Sequence, residues 1–74
     1  MINVNMGINK HRKDYSQTVK SIEQELTNKG IYFDNDGSSP DTHNINAGFQ
    51  DKTQGSKFAH AVVSKVDYLD TETF

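Results

Sequence analysis

The stretch DYSQTVKSIEQELTNKGI, residues 14–31, is the most informative part of this chain. Its apolar residues recur at spacings of four, three and four, the period of one face of an α-helix. These residues are Tyr15, Val19, Ile22 and Leu26. The spacing predicts an amphipathic helix over Asp14–Lys29 whose apolar stripe faces a core.

Sequence signals mark both the start and the end of this helix. At the start, Asp14 is placed to accept from the free amide of Gln17, and the Gln17 side chain is placed to reach back, as in a capping box. At the end, Gly30 supplies the left-handed residue that stops a helix, and Ile31 falls where a Schellman motif places its contact with Leu26. The sequence therefore predicts where the helix begins and ends.

Segments of alternating polarity on either side of the helix predict strands. Residues 2–8 and 44–50 both alternate, and a short apolar run at 31–33 predicts a strand between them. Residues 34–41 and 51–56 have the composition of turns. The residues expected to face inward on the two alternating strands are Ile2, Val4, Met6, Ile8, Ile45, Ala47 and Phe49.

The segment Lys57–Leu69 fits two periods. As a strand it places Phe58, Val62 and Val66 on one face; as a helix it places the same three residues on one stripe. Its valines and Tyr68 favour the strand, and its alanines favour the helix. The prediction is one small α+β domain over residues 1–74, in which one helix packs on a mostly antiparallel sheet. The order is β-α-β-β-β, or β-α-β-β-α if this segment is helical.

Composition narrows the class of protein. Leu, Ile, Val and Phe make up only 16 of 74 residues, and there is no cysteine to form a disulfide. A small hydrophobic core without a disulfide cross-link favours self-association as a further source of stability, so a homodimer is expected. The sequence shows neither a signal peptide nor an apolar stretch of membrane-spanning length, so we expect a cytoplasmic protein with no membrane partner. Seven Lys against one Arg, with seven Asn, indicates AT-rich codons and hence a gene from a low-GC genome or from a virus of such a genome.

No motif indicates catalysis, a cofactor or a metal. Asp34-Asn35-Asp36-Gly37 resembles the opening of a calcium loop, but the position of the closing acidic ligand is Ile45. The three histidines have no metal-ligand spacing; Asp41 and His43 share a strand face without a third ligand. We therefore expect no enzyme.

One basic cluster is a candidate partner-binding site. It precedes the N-terminus of the predicted helix, where free amides and the helix dipole favour anions. Its residues are Lys10, His11, Arg12 and Lys13, with Lys20 further along the helix. The net charge of −2 argues against a dedicated nucleic-acid binder.

The function expected from the sequence is non-catalytic binding. A small accessory protein, a regulator or inhibitor of viral, phage or mobile-element origin, would act by docking on a larger protein. The alternatives are a nucleic-acid-binding regulator that uses residues 10–13 and a self-assembling structural subunit.

Overall fold

The computed structural model describes residues 1–73. Six elements follow one another along the chain: β1 (Ile2–Asn9), α1 (Tyr15–Asn28), β2 (Phe33–Asp36), β3 (Thr42–Phe49), α2 (Lys52–Val62) and β4 (Tyr68–Thr73). The strands form one four-stranded sheet in the order β2-β3-β1-β4, and every neighbouring pair is antiparallel. The predicted α+β class is confirmed. The element order and the antiparallel sheet are those of a ferredoxin-like, split β-α-β arrangement.

The core lies between the sheet and the two helices. The alternation predicted for the two long strands is confirmed, because their inward residues are almost completely buried. The stripe of α1 covers them, with Ile22 and Leu26 at 1% and 0% exposure. The rest of the core comes from α2: Phe58, Ala59 and Val62. Because both helices cover one face of the sheet, the opposite face is left open.

Helix α1 ends as predicted. The Ile31 amide donates to the Leu26 carbonyl at 2.9 Å, and the Gly30 amide donates to the Thr27 carbonyl at 3.0 Å. Gly30 has φ 69°, the left-handed conformation that a Schellman motif requires. The helix begins differently, since the side chain of Asp14 makes no capping bond. Arg12 takes up that carboxylate instead, so the predicted capping box is wrong.

For residues 57–69 the strand interpretation is wrong, and the helical alternative is confirmed as far as Val62. Residues 52–62 form α2, which starts within the segment predicted to be a turn. The Asp51 side chain caps this helix by accepting from the Thr53 amide at 2.9 Å. A fourth strand follows at Tyr68–Thr73, so the order is β-α-β-β-α-β and two helices cover the sheet.

Strand β2 is displaced from its predicted position. It was expected at Ile31–Phe33, but it runs from Phe33 to Asp36, into the segment of turn-forming residues. Pairing with β3 explains this, because Asp34 lies opposite Asn46 and Asp36 opposite Asn44. The backbone pairing overrides the local turn preference.

Candidate binding surface

The predicted basic cluster is used largely to hold the fold together. The ammonium group of Lys10 donates to the carbonyls of Gly37 and Ser39, both at 2.6 Å. This side chain therefore fixes the loop between β2 and β3 from the end of β1. Its charge is directed at backbone oxygens of the same protein.

His11 and Arg12 lie beside carboxylates. His11 Nε2 is 3.0 Å from Asp41, and both side chains are exposed. The Arg12 guanidinium lies 2.9 Å from Asp14 and 3.4 Å from Asp67. Its Nη1 also donates to the carbonyl of Lys65 at 2.9 Å, which ties the start of α1 to the loop before β4.

These pairs change the titration of their members. The hydrogen bond from Arg12 lowers the pKa of Asp14, and the bond to Asp14 raises the pKa of Arg12. Both groups therefore stay charged across the neutral range and neutralise each other.

The remaining predicted residues, Lys13 and Lys20, are exposed. Within residues 1–73 neither side chain makes a hydrogen bond or an ion pair. The structure thus brings Lys10, His11 and Arg12 together with acidic or carbonyl oxygens, and it leaves two separate lysines free for a ligand. The role of the cluster in binding a partner stays a prediction.

A groove of about 300 Å³ lies beside Arg12, between the start of α1 and the loop before β4. Its lining is polar, with Gln17, Thr18, Ser21 and Ser64 alongside the Arg12–Asp14 pair. The guanidinium is already bound to carboxylates, and Lys65 is the other cationic residue that lines the groove.

A polar chain crosses from α1 to the sheet at His43. The Tyr15 hydroxyl lies 3.1 Å from His43 Nδ1, and His43 Nε2 lies 2.8 Å from the Asn35 amide oxygen. The Asn35 amide nitrogen then donates to Glu23 at 2.6 Å. Since the Asn35 side-chain oxygen only accepts, Nε2 is the donor in this contact. This chain fixes α1 against β2 and β3.

The histidines and acids do not assemble into a metal site in the part of the chain that the structure describes. Asp41 and His43, two residues apart in the sequence, have different partners. Asp41 contacts His11, whereas His43 contacts Tyr15 and Asn35.

The open face of the sheet, opposite the helices, is the most distinctive surface. The registers of the four strands place its side chains in three rows running from β2 to β4. The middle row reads Asp34, Asn46, Asn5, Asp70. The flanking rows are Asp36, Asn44, Gly7, Tyr68 and Tyr32, Gly48, Asn3, Glu72. Carboxylates thus occupy the two outer strands, with amides and glycines in the centre, and the three rows contain no Lys, Arg or His.

Hydrogen bonds order this open face. The Asn3 amide donates to the Asn5 side-chain oxygen at 2.9 Å, and the Asn5 amide donates to Glu72 at 3.4 Å. On the other side the Tyr32 hydroxyl donates to Asp34 at 2.8 Å. The carboxylates nevertheless remain exposed, so they are available to a partner.

Two groups of the open face have shifted pKa values. Hydrogen bonds from Ser38 lower the pKa of Asp36, and the contact with Asp34 raises the pKa of Tyr32. The open face is therefore an anionic surface with hydrogen-bonding amides at its centre. Sequence reasoning missed it, although the outward Asn residues of the two alternating strands were a visible signal.

The chain matches no family model, no curated protein and no solved structure. In residues 1–73, neither helix has the length and apolar character needed to cross a membrane. Since a fold of this type hosts many unrelated functions, the function has to be argued from the surfaces themselves.

Proposed function

We propose that this protein is a non-catalytic binding module that docks on a larger protein through the open face of its sheet. The partner presents lysine or arginine side chains. One observation carries the proposal: the open face has four carboxylates and no cationic side chain in its three rows. Electrostatic complementarity of this kind steers association and discriminates between partners.

The surfaces give less support to the nucleic-acid alternative. A polyanion is repelled by the open face, and three of the cluster's four residues already contact carboxylate or carbonyl oxygens. Four-stranded sheets that bind RNA stack bases on aromatic side chains. Here the central strands offer only Asn, Thr and Gly to the open face, and its two tyrosines, Tyr32 and Tyr68, lie at opposite edges of the sheet.

A regulatory or inhibitory role follows from size and charge. A chain of 74 residues that covers a basic surface would exclude whatever anionic ligand that surface normally binds. We place such an inhibitor in the cytoplasm and assign it a viral or mobile-element origin, in line with the codon bias inferred from the Lys and Asn content. Neither is needed for the binding proposal.

The test uses three labelled probes: an eight-lysine peptide, a DNA duplex and a single-stranded RNA. Fluorescence anisotropy at two salt concentrations compares the wild type with an open-face variant. That variant combines Asp34→Asn, Asp36→Asn, Asp70→Asn and Glu72→Gln, which remove charge and keep the hydrogen-bonding shape. We expect salt-sensitive binding of the peptide that is lost in this variant.

Two cluster variants serve as matched controls. Lys13→Ala with Lys20→Ala removes the free lysines without breaking a contact, and Lys10→Ala with Arg12→Ala and Lys13→Ala removes the cluster itself. Both should retain peptide binding, and circular dichroism verifies that each variant is folded. Salt-sensitive binding of DNA or RNA that disappears in the cluster variants would overturn the proposal and support the nucleic-acid alternative.

A further inference from the structure

Strand β4 has a free edge. It pairs with β1 on one side and is the last strand of the sheet on the other. The Gly7 carbonyl points toward β4, since it accepts from the Asp67 amide at 2.9 Å. Backbone groups of successive residues point alternately to the two sides of an antiparallel strand. Tyr68, Asp70 and Glu72 therefore bond to β1, and the N–H and C=O groups of Leu69 and Thr71 point outward.

An apolar groove runs along this edge on the helix side. It is lined by Ala59 and His60 of α2, by Val63 directly after that helix and by Leu69 of β4, and has a volume of about 200 Å³. Val63 is 52% exposed, although it is a large apolar side chain. A strand added beside β4 would cover this groove with every second side chain.

The other side of the same edge is acidic. Asp70 and Glu72 lie on the open face at its outermost strand, and both are exposed. The remaining side chains of an added strand would lie beside these carboxylates. An added strand would therefore need apolar residues on the helix side, alternating with basic residues on the open face.

A second copy of the chain does not meet this requirement. When two copies of β4 pair over most of the strand with their open faces continuous, Asp70 lies beside Asp70 or Glu72 of the other copy, and like charges in such positions are destabilising. Pairing β4 with β2 of another copy brings Asp34 and Asp36 beside the same residues. The occupant is therefore another polypeptide.

We infer that the free edge of β4 receives an extended segment of the partner, in which apolar and basic residues alternate. The apolar residues enter the groove at Val63 and Leu69, and the basic residues pair with Asp70 and Glu72. Main-chain bonds to Leu69 and Thr71 hold the segment as a fifth strand. This inference rests on the proposed function, since it specifies how a basic partner docks.

The probe is a blocked ten-residue peptide of alternating lysine and valine, measured by calorimetry and by amide chemical shifts. A control peptide has the same composition with its lysines and valines in two blocks. We expect the alternating peptide to bind more tightly and to shift the amides of Leu69 and Thr71. Equal binding of the two peptides would overturn strand addition.

Methylated peptides test the backbone bonds. When this peptide forms a strand, the N–H groups that point toward β4 belong to every second residue, and so either all to lysines or all to valines. N-methylation of one class should therefore abolish binding, and N-methylation of the other should leave it. Loss with valine methylated indicates an antiparallel segment, and loss with lysine methylated a parallel one. If both methylated peptides bind, the segment is not a strand.

Variants of the protein locate the site. Asp70→Asn with Glu72→Gln should weaken binding by about tenfold, the effect of two exposed charge pairs. The matched pair Asp34→Asn with Asp36→Asn, on the opposite edge, should leave binding unchanged. Thr71→Pro removes one outward amide at an edge position where proline is tolerated, and should abolish binding in a folded protein.

The outcomes separate this inference from the proposed function. Peptide binding that depends equally on both pairs of carboxylates and tolerates Thr71→Pro would overturn strand addition and leave docking by the open face standing. Binding that ignores all four carboxylates would overturn both. Concentration-dependent protection of the Leu69 and Thr71 amides without peptide would show a second copy at the edge, and would also overturn the inference.

Discussion

Gly55 of α2 lies directly against Ile2 of β1, with no room between them for a side chain. A Cβ atom on Gly55 would collide with the Ile2 Cγ2 methyl group and would lie 3.3 Å from Cβ of Phe49. Ile2 and Phe49 are both buried, so neither can move into solvent. A glycine in the first half of a helix is unfavourable by itself, and this close approach is what it permits.

Gly55→Ala should therefore destabilise the protein, in spite of the higher helix propensity of alanine. Overpacking of this kind costs roughly 1–3 kcal/mol. Urea denaturation measures the effect, with Gly48→Ala as control, because a Cβ there meets only the Met1 side chain at 3.9 Å. Equal stability of the two variants would contradict the packing of α2 on β1.

The C-terminal end of α1 requires glycine at position 30 because of its backbone conformation, and not because a side chain would lack room there. A Cβ at Gly30 meets nothing within 4 Å, but its φ of 69° is strained for other residues. Gly30→Ala should lower the free energy of unfolding by about 1 kcal/mol, and Gly30→Asn by less. Leu26→Ala, which removes a completely buried side chain, should cost roughly 2–5 kcal/mol. Thermal unfolding should rank Gly30→Asn, Gly30→Ala and Leu26→Ala in that order of increasing destabilisation.

The Arg12–Asp14 pair should make stability decline in acid. Because the pKa of Asp14 is lowered in the folded chain, its contribution is present above the pKa of the unfolded state. It is lost as the pH falls through the folded pKa. NMR titration of the carboxyl groups should show a higher Asp14 pKa in Arg12→Ala than in the wild type.

Asp36 provides an internal control for that titration. Its pKa is lowered mainly by hydrogen bonds from Ser38, so it should titrate identically in the wild type and in Arg12→Ala. A parallel rise of both pKa values would indicate a general loss of structure, contrary to the specific pairing.

Charge on the sheet edges should limit association of the protein with itself. Asp70→Asn with Glu72→Gln removes the repulsion between edge strands, so this variant should form larger species than the wild type in light scattering at matched concentration. The homodimer expected from the thin core stays a prediction, since a single chain contains no interface between copies. An unchanged mass in the double variant would show that these carboxylates do not protect the edge.

The sequence predicted those parts of the fold that local patterns determine. The stripe of α1, its stop at Gly30 and the alternation around Val4 and Ala47 all act within a few residues. The period of Phe58, Val62 and Val66 fits both a helix and a strand. The helix is favoured by its N-terminal cap, in which the Asp51 side chain accepts from the Thr53 amide, and this cap lies in residues 51–56, which have the composition of a turn. Strand β4 had no visible pattern, because five of its six residues are exposed and only Leu69 is half-buried.

The candidate surface was harder to predict, because charges far apart in sequence meet in the fold. Residues 10–13 form a basic run, but Asp41 and Asp67, which lie beside His11 and Arg12, come much later in the chain. Likewise, Asp34 and Asp70 share one row only because the strand order places them there. Neither the local neutralisation nor the shared row can be inferred from spacing along the chain.

The pairing of β1 with β4 also constrains how the protein is made. Ile2 lies beside Thr73, so one side of β1 stays unpaired until residues 68–73 have been synthesised. Until then β1 has β3 as its only strand neighbour, and its row of buried apolar residues is incompletely covered. Such long-range pairing slows folding and exposes intermediates to aggregation. The nascent chain therefore depends on β4 to close this sheet, and a chain that stops before residue 68 leaves β1, the most apolar of the four strands, open on one side.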